Sequence, residues 1–361
     1  MTENRINKDQ IIILIPSLNP DDKMEGVVSD LFHAGFHEIF LVDDGSDQKN
    51  KRYFQNMKEK FQCNVLTHCT NLGKGRALKT GLNEIANTMM DYAGVITVDG
   101  DGQHLIEDIE KLAERLYVNQ RQGKEVLIMG CRDFSADTVP FRSRMGNIVT
   151  SKVMAFLCGI HLSDTQTGLR GISEKTVSRL VALPGERFEY ELNMILFAKE
   201  NEIPIEEILI STVYLEENKS SHFRPLQDSI KIYAQFGRFI FSSISSFVVD
   251  IILFTTFLYF IGFLPVEQTL HISICTIGAR ILSAIYNYML NKKKVFGNKQ
   301  HPKNSMVRYA ILAIMQCMLS AFLVSFIFSR ITISASIIKI IVDSCLFLVS
   351  FQIQREWVFH K

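Results

Sequence analysis

The chain has 361 residues with 39 Lys and Arg against 38 Asp and Glu, and a net charge of +1 singles out no polyanionic partner and gives no ground for nucleic-acid binding. A hydrophobic fraction of 47% and a mean hydropathy of +0.12 exclude disorder. The seven cysteines are scattered, without a Cys-x-x-Cys pair or Cys/His ligand spacing, so a disulfide scaffold is excluded and they read as reduced, mostly buried small hydrophobes. The charge average hides a split. From Gln235 onward there are twelve bases against four acids, so an acidic front half precedes a basic, Phe- and Ile-rich back half.

In the front half, short β-rich runs end in polar, Gly-rich turns and alternate with helical patterns. Strands are predicted at Ile11–Ile15, Ile39–Val42, Asn64–Thr67, Gly94–Val98 and Glu125–Met129, and helices at about 22–35, 49–61, 74–88 and 105–121. Such alternation predicts an α/β domain with a mostly parallel sheet and ligands at the carboxyl ends of its strands. Those ends carry Pro16-Ser17-Leu18-Asn19, Asp43-Asp44-Gly45-Ser46 and Asp99-Gly100-Asp101-Gly102-Gln103-His104. Two carboxylates two residues apart after a buried strand can both reach one cation, and hard oxygen ligands favour Mg²⁺ or Mn²⁺ held together with substrate phosphates. An ordinary Asp/Gly turn has the same composition. Gly73-Lys74-Gly75 lacks the P-loop pattern and reads as a helix start, with Lys74 or Arg76 facing a phosphate or solvent. His68 and His104 read as ligands or as polar filler.

Further along, Met145, Ile148, Val149 and Phe156 make one apolar face, and Leu226, Ile230, Tyr233 and Ile240 another, flanked by Arg224, Lys231 and Arg238. Interfacial helices look like this, and so does core packing; for the second segment the interface is favoured because it leads straight into an apolar run. Four apolar runs follow, at about 239–263, 271–290, 309–328 and 334–351, each near the ~20 residues that cross a hydrocarbon core. Six bases between Lys292 and Arg308 place that loop in the cytoplasm, and four spans return both termini to the same side. No signal peptide is expected, since the run at Ile11 is short and follows a polar start. Asp250, Arg280, Lys339 and Asp343 fall inside the runs, as structural ion pairs or as a functional site.

Taken together, IPSLNP at 15–20, VDDGS at 42–46, NLGKGRALKTG at 71–81, TVDGDGQH at 97–104, GCRDF at 130–134, DTQTGLRG at 164–171 and RFEYEL at 187–192 resemble family 2 glycosyltransferases. The subgroup they are most similar to is the polyprenyl-phosphate glycosyltransferases, relatives of dolichol-phosphate mannose synthase. The back half resembles a GtrA-like membrane module through FGRFIFSSISSFVVD, ARILSAIYNYMLNKKKVF and RYAIL. The resemblance implies a GT-A (Rossmann-like) catalytic domain over 1–220, an amphipathic interface helix over 221–238 and an all-α, four-helix transmembrane domain over 239–361. It implies that Pro16 and Asn19 line a nucleotide pocket, that Asp44 holds the base or ribose side, and that Asp99 contacts the nucleotide. Asp101 and Gln103 would be the ligands of Mg²⁺ or Mn²⁺. Asp164, Gln166 and Arg170 would lie near the sugar or acceptor, and Glu189 would face the site. The family's usual Tyr and Glu after the first Pro are Leu18 and Pro20 in this chain.

The reaction so implied moves a hexose from a UDP- or GDP-linked sugar to polyprenyl phosphate at the cytoplasmic face of the plasma membrane, with inversion at the sugar. The acceptor phosphate is anionic at neutral pH, its second pKa lying near ~6. It needs positioning more than deprotonation, and Asp164 is the one carboxylate to test as a base. Lys74 would face a phosphate, and Arg132, Arg142 and Arg144 would catch the lipid's phosphate. The alternatives are a lipid-linked sugar translocator whose front domain only binds nucleotide, and a processive polysaccharide synthase. The latter's Gln-x-x-Arg-Trp motif is out of pattern at Gln352–Trp357. The residues leave the oligomeric state open, a homo-oligomer included.

Overall fold

Five aliphatic residues in a row, Ile11–Ile15, leave no polar face, and such a run forms a strand buried on both sides. In the computed structural model it does so. The structure describes residues 6–133, 141–211, 230–261, 268–295, 303–328, 330 and 335–359. The chain divides into two compact units, Met1–Ile230 and Lys231–Lys361.

The first unit is built on a seven-stranded sheet: β1 Ile11–Ser17, β2 Ile39–Asp43, β3 Asn64–Thr67, β4 Gly94–Thr97, β5 Leu127–Arg132, β6 Arg170–Ser173 and β7 Ile205–Ile210, in the order β3-β2-β1-β4-β6-β5-β7. Its helices are α1 Asp22–His33, α2 Lys51–Phe61, α3 Lys74–Thr88, α4 Ile106–Arg121, α5 Phe141–Cys158, α6 Glu174–Val181 and α7 Glu189–Glu200. All the strand pairs are parallel except those of β6, which runs antiparallel to both β4 and β5. The sequence pattern did not predict β6 or β7. Ile11, Ile13 and Ile15 face a core with Met24, Val28 and Leu31 of α1 and Ile109, Leu112 and Leu116 of α4. Leu14 lies against α3, where Gly81 comes so close that an added Cβ would sit 2.2 Å from Leu14 Cδ1. With each side chain buried this way contributing roughly 1.5–3 kcal/mol, the two-sided core fixes the register. That register aligns Ser17 with Asp43 and Asp43 with Thr67, so three polar loops leave the sheet along one edge.

The second unit is helical: α8 Ile230–Ile261, α9 Gln268–Leu290, α10 Ser305–Phe328 and α11 Ala335–Ile353, with π-helical turns at Asn291–Val295 and Gln354–Val358. The helices fall on the four apolar runs. Among the described residues one stretch, Gly237–Phe257 of α8, is long and apolar enough to cross a membrane by length and composition. Arg280, His271 and Asn287 make α9 more polar than α8. The interface helix expected over 221–238 falls partly outside the described residues, and from Ile230 its backbone is continuous with α8. Polar side chains tie the helices together. Ser283 Oγ donates to Asp250 Oδ1 at 2.9 Å, Arg280 Nε lies 3.7 Å from Asp250 Oδ2, and buried Asn291 donates to Asn287 at 2.7 Å and to Gln354 at 2.9 Å. Asp250 and Arg280 thus pair as the sequence places them. The side chains of Lys339 and Asp343 lie outside the described residues.

Candidate active site

The site is assembled from the loops at the carboxyl ends of β1, β2 and β4. Asn19 follows Pro16 and Ser17 of β1 in a left-handed conformation (φ 52°), which an Asn tolerates better than most residues. Its backbone N–H donates to Ser46 Oγ and its Oδ1 accepts from Asp47 N, both at 2.8 Å, so it ties the first loop to the second. Asp44 is buried. Its Oδ1 accepts from Leu72 N at 2.9 Å and lies 2.7 Å from His68 Nδ1, and its Oδ2 accepts from Gly73 N at 2.7 Å. His68 reaches Thr80 with its other nitrogen at 2.9 Å, which makes it polar filler. Asp44 and His68 therefore anchor the 68–73 loop that delivers the N-terminus of α3. Gly73 is required at that turn, with φ 104° and an added Cβ only 2.4 Å from Glu186 O.

Lys74, the first residue of α3, is drawn inward. Its ammonium lies 2.8 Å from Asp99 Oδ1 and 3.0 Å from Glu191 Oε1, with the Phe188 ring centroid at 5.9 Å. Burial alone would raise the Asp99 carboxyl, but the charge of Lys74, helped by His104, outweighs it and holds it well below the usual carboxylate range. Burial would likewise lower Lys74, and the two carboxylates instead raise it. Both partners stay ionised. Gly168 packs directly on Asp99: a Cβ there would stand 2.2 Å from Asp99 Oδ2. The ring nitrogens of His104 are buried and find no hydrogen-bond partner among the described residues, and Nε2 is 3.7 Å from Asp99 Oδ2.

Asp101 is the contrasting carboxylate. Its Oδ1 accepts from Gln103 N at 3.0 Å, and among the described residues no cation pairs with it. Burial, and then the charge of Asp99, raise it. A carboxyl held beside another carboxyl without a counter-ion suits a divalent cation. Among the described residues no three His, Cys, Asp or Glu side chains converge into a cage, so such an ion would draw further ligands from substrate phosphates and water, as Mg²⁺ commonly does.

A second cluster surrounds Asp164. This carboxylate is fully buried and accepts from Arg132 Nε (2.6 Å), Arg132 Nη2 (3.1 Å), Arg132 N (3.3 Å) and Gln166 N (3.0 Å). Its loop is gripped from both sides. Asn147 of α5 donates to Ser163 O at 2.6 Å and accepts from Thr165 N at 3.3 Å, while Glu207 of β7 accepts from Ser163 N and Oγ, both at 2.7 Å, and from Cys131 Sγ at 3.1 Å. Gln166 Nε2 donates to Thr150 at 3.1 Å. Arg170, expected near sugar or acceptor, is fully buried. It donates to Thr167 O at 3.0 Å and to Glu191 O, bracing α7, and burial lowers its guanidinium below the ordinary value. Arg144 lies half-buried on α5, and the side chain of Arg142 lies outside the described residues.

On α7 the two acids part company. Glu189 turns back to accept from Glu186 N at 2.9 Å and Arg187 N at 3.3 Å, while buried Glu191 takes Lys74. The resemblance points to Glu189, and both acids also read as a solvated helix start; the structure instead buries Glu191 in the stripe Glu191, Met194, Ile195, Ala198, which has helical spacing. Asn147 and Glu207 lie outside every motif of the sequence. Their partners are far apart in sequence, and no local pattern marks them.

Residues 12–180 match the family described as glycosyl transferase family 2, and residues 238–359 match the GtrA/DPMS transmembrane domain. An uncharacterised protein of Methanocaldococcus jannaschii is 29% identical over 221 residues, 60% of this chain and 87% of its own length. The UDP-N-acetylglucosamine–dolichyl-phosphate N-acetylglucosaminyltransferase of Methanococcus voltae is 28% identical over 225 residues, 57% of this chain and 86% of its own. The dolichyl-phosphate beta-glucosyltransferase of Homo sapiens is 25% identical over 229 residues, 58% and 69% respectively. With one match falling within each of the two structural units, the chain is a membrane protein in which a family 2 glycosyltransferase domain is joined to a GtrA/DPMS transmembrane domain.

Proposed function

We propose that this glycosyltransferase moves a hexose from a UDP- or GDP-linked sugar to polyprenyl phosphate at the cytoplasmic face of the membrane. The observation that carries the reading is the convergence of Asp99, Asp101 and Lys74 beyond β4 in a chain that also holds a transmembrane domain. The dolichyl-phosphate substrates in the names of two relatives support the lipid acceptor, and those names differ in the sugar. We take 1–220 as the catalytic domain, 221–238 as an interface helix and 239–361 as a four-span domain, oriented by the bases of the 291–308 loop.

In this mechanism Pro16 and Asn19 line the nucleotide pocket, which Asp44 shapes from beneath through the 68–73 loop, and Asp99 contacts the nucleotide. Asp101 and Gln103 would hold Mg²⁺ or Mn²⁺, which when bound supplies a Lewis acid for the departing diphosphate. Lys74 adds a fixed positive charge beside it. A phosphate oxygen of the lipid forms a bond to C1 of the sugar as the bond from C1 to the diphosphate oxygen breaks, and configuration at C1 inverts. No proton has to be removed, because the phosphate is already anionic. Asp164 acts differently from a base: with its lone pairs directed at Arg132 and two backbone N–H groups, it orients Arg132, whose planar fork suits a phosphate. Arg142 and Arg144, two residues apart in the sequence of α5, are proposed to act on the same lipid phosphate. Gln166 and Arg170 hold the loops of the sugar side.

The test is transfer itself. Purified full-length chain is incubated with a panel of UDP- and GDP-sugars and undecaprenyl phosphate, and lipid-linked sugar is scored. One sugar should be transferred with Mg²⁺ or Mn²⁺ and none with EDTA. Nucleotide binding without transfer to any lipid phosphate would overturn the reading.

A further inference from the structure

An ammonium has three N–H donors on a rotatable stem, so a lysine that serves a ligand must be aimed by its surroundings. At Lys74 two donors are taken. Asp99 Oδ1 accepts one at 2.8 Å and Glu191 Oε1 another at 3.0 Å, and among the described residues there is no third acceptor. The Phe188 ring lies alongside, and the side chain is about four-fifths buried. Glu191 is itself fixed. It is buried on the inner stripe of α7, and its carbonyl takes a guanidinium N–H of the fully buried Arg170. Asp99 is held from the other side by Gly168, which leaves no room for a Cβ. The two carboxylates thus come from unconnected elements, the loop after β4 and the first turn of α7. Between them they leave the third N–H of Lys74 one direction.

We propose that Glu191 is a positioning residue: it aims the remaining N–H of Lys74 at a diphosphate oxygen of the donor nucleotide. The assignment rests on the donor reading above. It deepens that reading by making donor affinity depend on a residue that does not touch the nucleotide. The role is one of direction rather than charge. A Gln at 191 keeps an acceptor oxygen at the same reach, whereas an Ala leaves the ammonium tied on one side only.

The experiment measures binding without turnover. UDP and GDP are titrated calorimetrically into the full-length chain in detergent with Mg²⁺, and the nucleotide bound by wild type is carried through the variants. Glu191→Ala should weaken binding about tenfold, while Glu191→Gln should stay within about threefold of wild type. Lys74→Met should lose at least as much as Glu191→Ala, and adding Glu191→Ala to Lys74→Met should cost nothing further, because the carboxylate acts only through the lysine. Thermal midpoints are read on the same samples. Unchanged affinity in Glu191→Ala, with or without a lowered midpoint, would reduce Glu191 to a structural residue and overturn the proposal. Tighter binding would make Glu191 an electrostatic brake and overturn it too, as would equal losses in the Gln and Ala variants or additive losses in the double variant. A wild-type chain that binds neither nucleotide would overturn the donor reading and this inference with it, which separates that failure from one confined to Glu191.

Discussion

Asp101 is half-buried, lies two residues from another carboxylate and receives one backbone N–H. Its carboxyl is raised above the ordinary ~3.9 of an unfolded Asp, so the folded chain binds that proton more readily than the unfolded one. Stability is therefore lost as pH rises from the unfolded toward the folded value, and at neutral pH the whole cost is present. Asp101→Asn keeps an acceptor for Gln103 N and removes the charge. In metal-free buffer at pH 7 its unfolding temperature should exceed that of wild type, with the gap closing below about pH 4. Its transfer rate should nevertheless fall at least about a hundredfold, since a Lewis acid contributes several kcal/mol to such a step. Loss of stability in this variant would contradict the isolated carboxylate. Gly168→Ala tests the neighbouring contact. A Cβ 2.2 Å from Asp99 Oδ2 must displace it, so nucleotide affinity should drop about tenfold or more while far-UV circular dichroism is retained. Asp164→Asn should weaken the hold on Arg132 and raise the acceptor KM without removing a limb of the pH–rate profile; loss of that limb would restore Asp164 as a base. Local spacing marked Asp99 and Asp101 after a strand and Lys74 at a helix start, and the structure brings Lys74 to 2.8 Å from Asp99. Spacing was not enough to tell that Asp44 and Arg170 face inward, because their partners, Gly73 and Glu191, come from other elements.

At the scale of elements, legibility followed the range of the interactions. The run Ile11–Ile15 and the helix at 74–88 depend on local periodicity and were placed well. β5 was expected to stop at Met129 and continues to Arg132, because β7 pairs with it residue by residue as far as Arg132 and Ile210. That extension brings Arg132 to Asp164. β6 had no periodic signature, and its antiparallel place between β4 and β5 is set by tertiary packing alone. In the helical unit the apolar runs and the Asp250–Arg280 pair were plain, and the contact between Asn291 and Gln354 was not. Asn291 begins one π-helical turn and Gln354 the other, and their side chains meet at 2.9 Å. Asn291→Ala should destabilise this unit by about 0.6–2 kcal/mol, the range for such bonds between membrane helices. Unfolding in detergent against SDS would measure it, with exposed Lys293→Ala as the neutral control.

For the whole molecule, the proposed cytoplasmic placement of the catalytic domain rests on the six bases of the loop between α9 and α10. A cysteine introduced by Asn298→Cys should be labelled by a membrane-impermeant maleimide only after the cytoplasmic side is opened. Labelling in intact cells would put the site away from its nucleotide sugar. The native thiols sort themselves by reactivity, since the thiolate is the nucleophile. Burial pushes Cys63 up to about 12, and burial together with Glu207 raises Cys131 further, so neither reacts near neutral pH. Cys69 is exposed, and it sits in the loop that Asp44 pins between His68 and Gly73. Cys69 is thus an alkylation handle on the rim of the proposed donor pocket. The rate at which Cys69 is modified becomes a gauge of occupancy, slowed when nucleotide covers the loop and restored when it leaves.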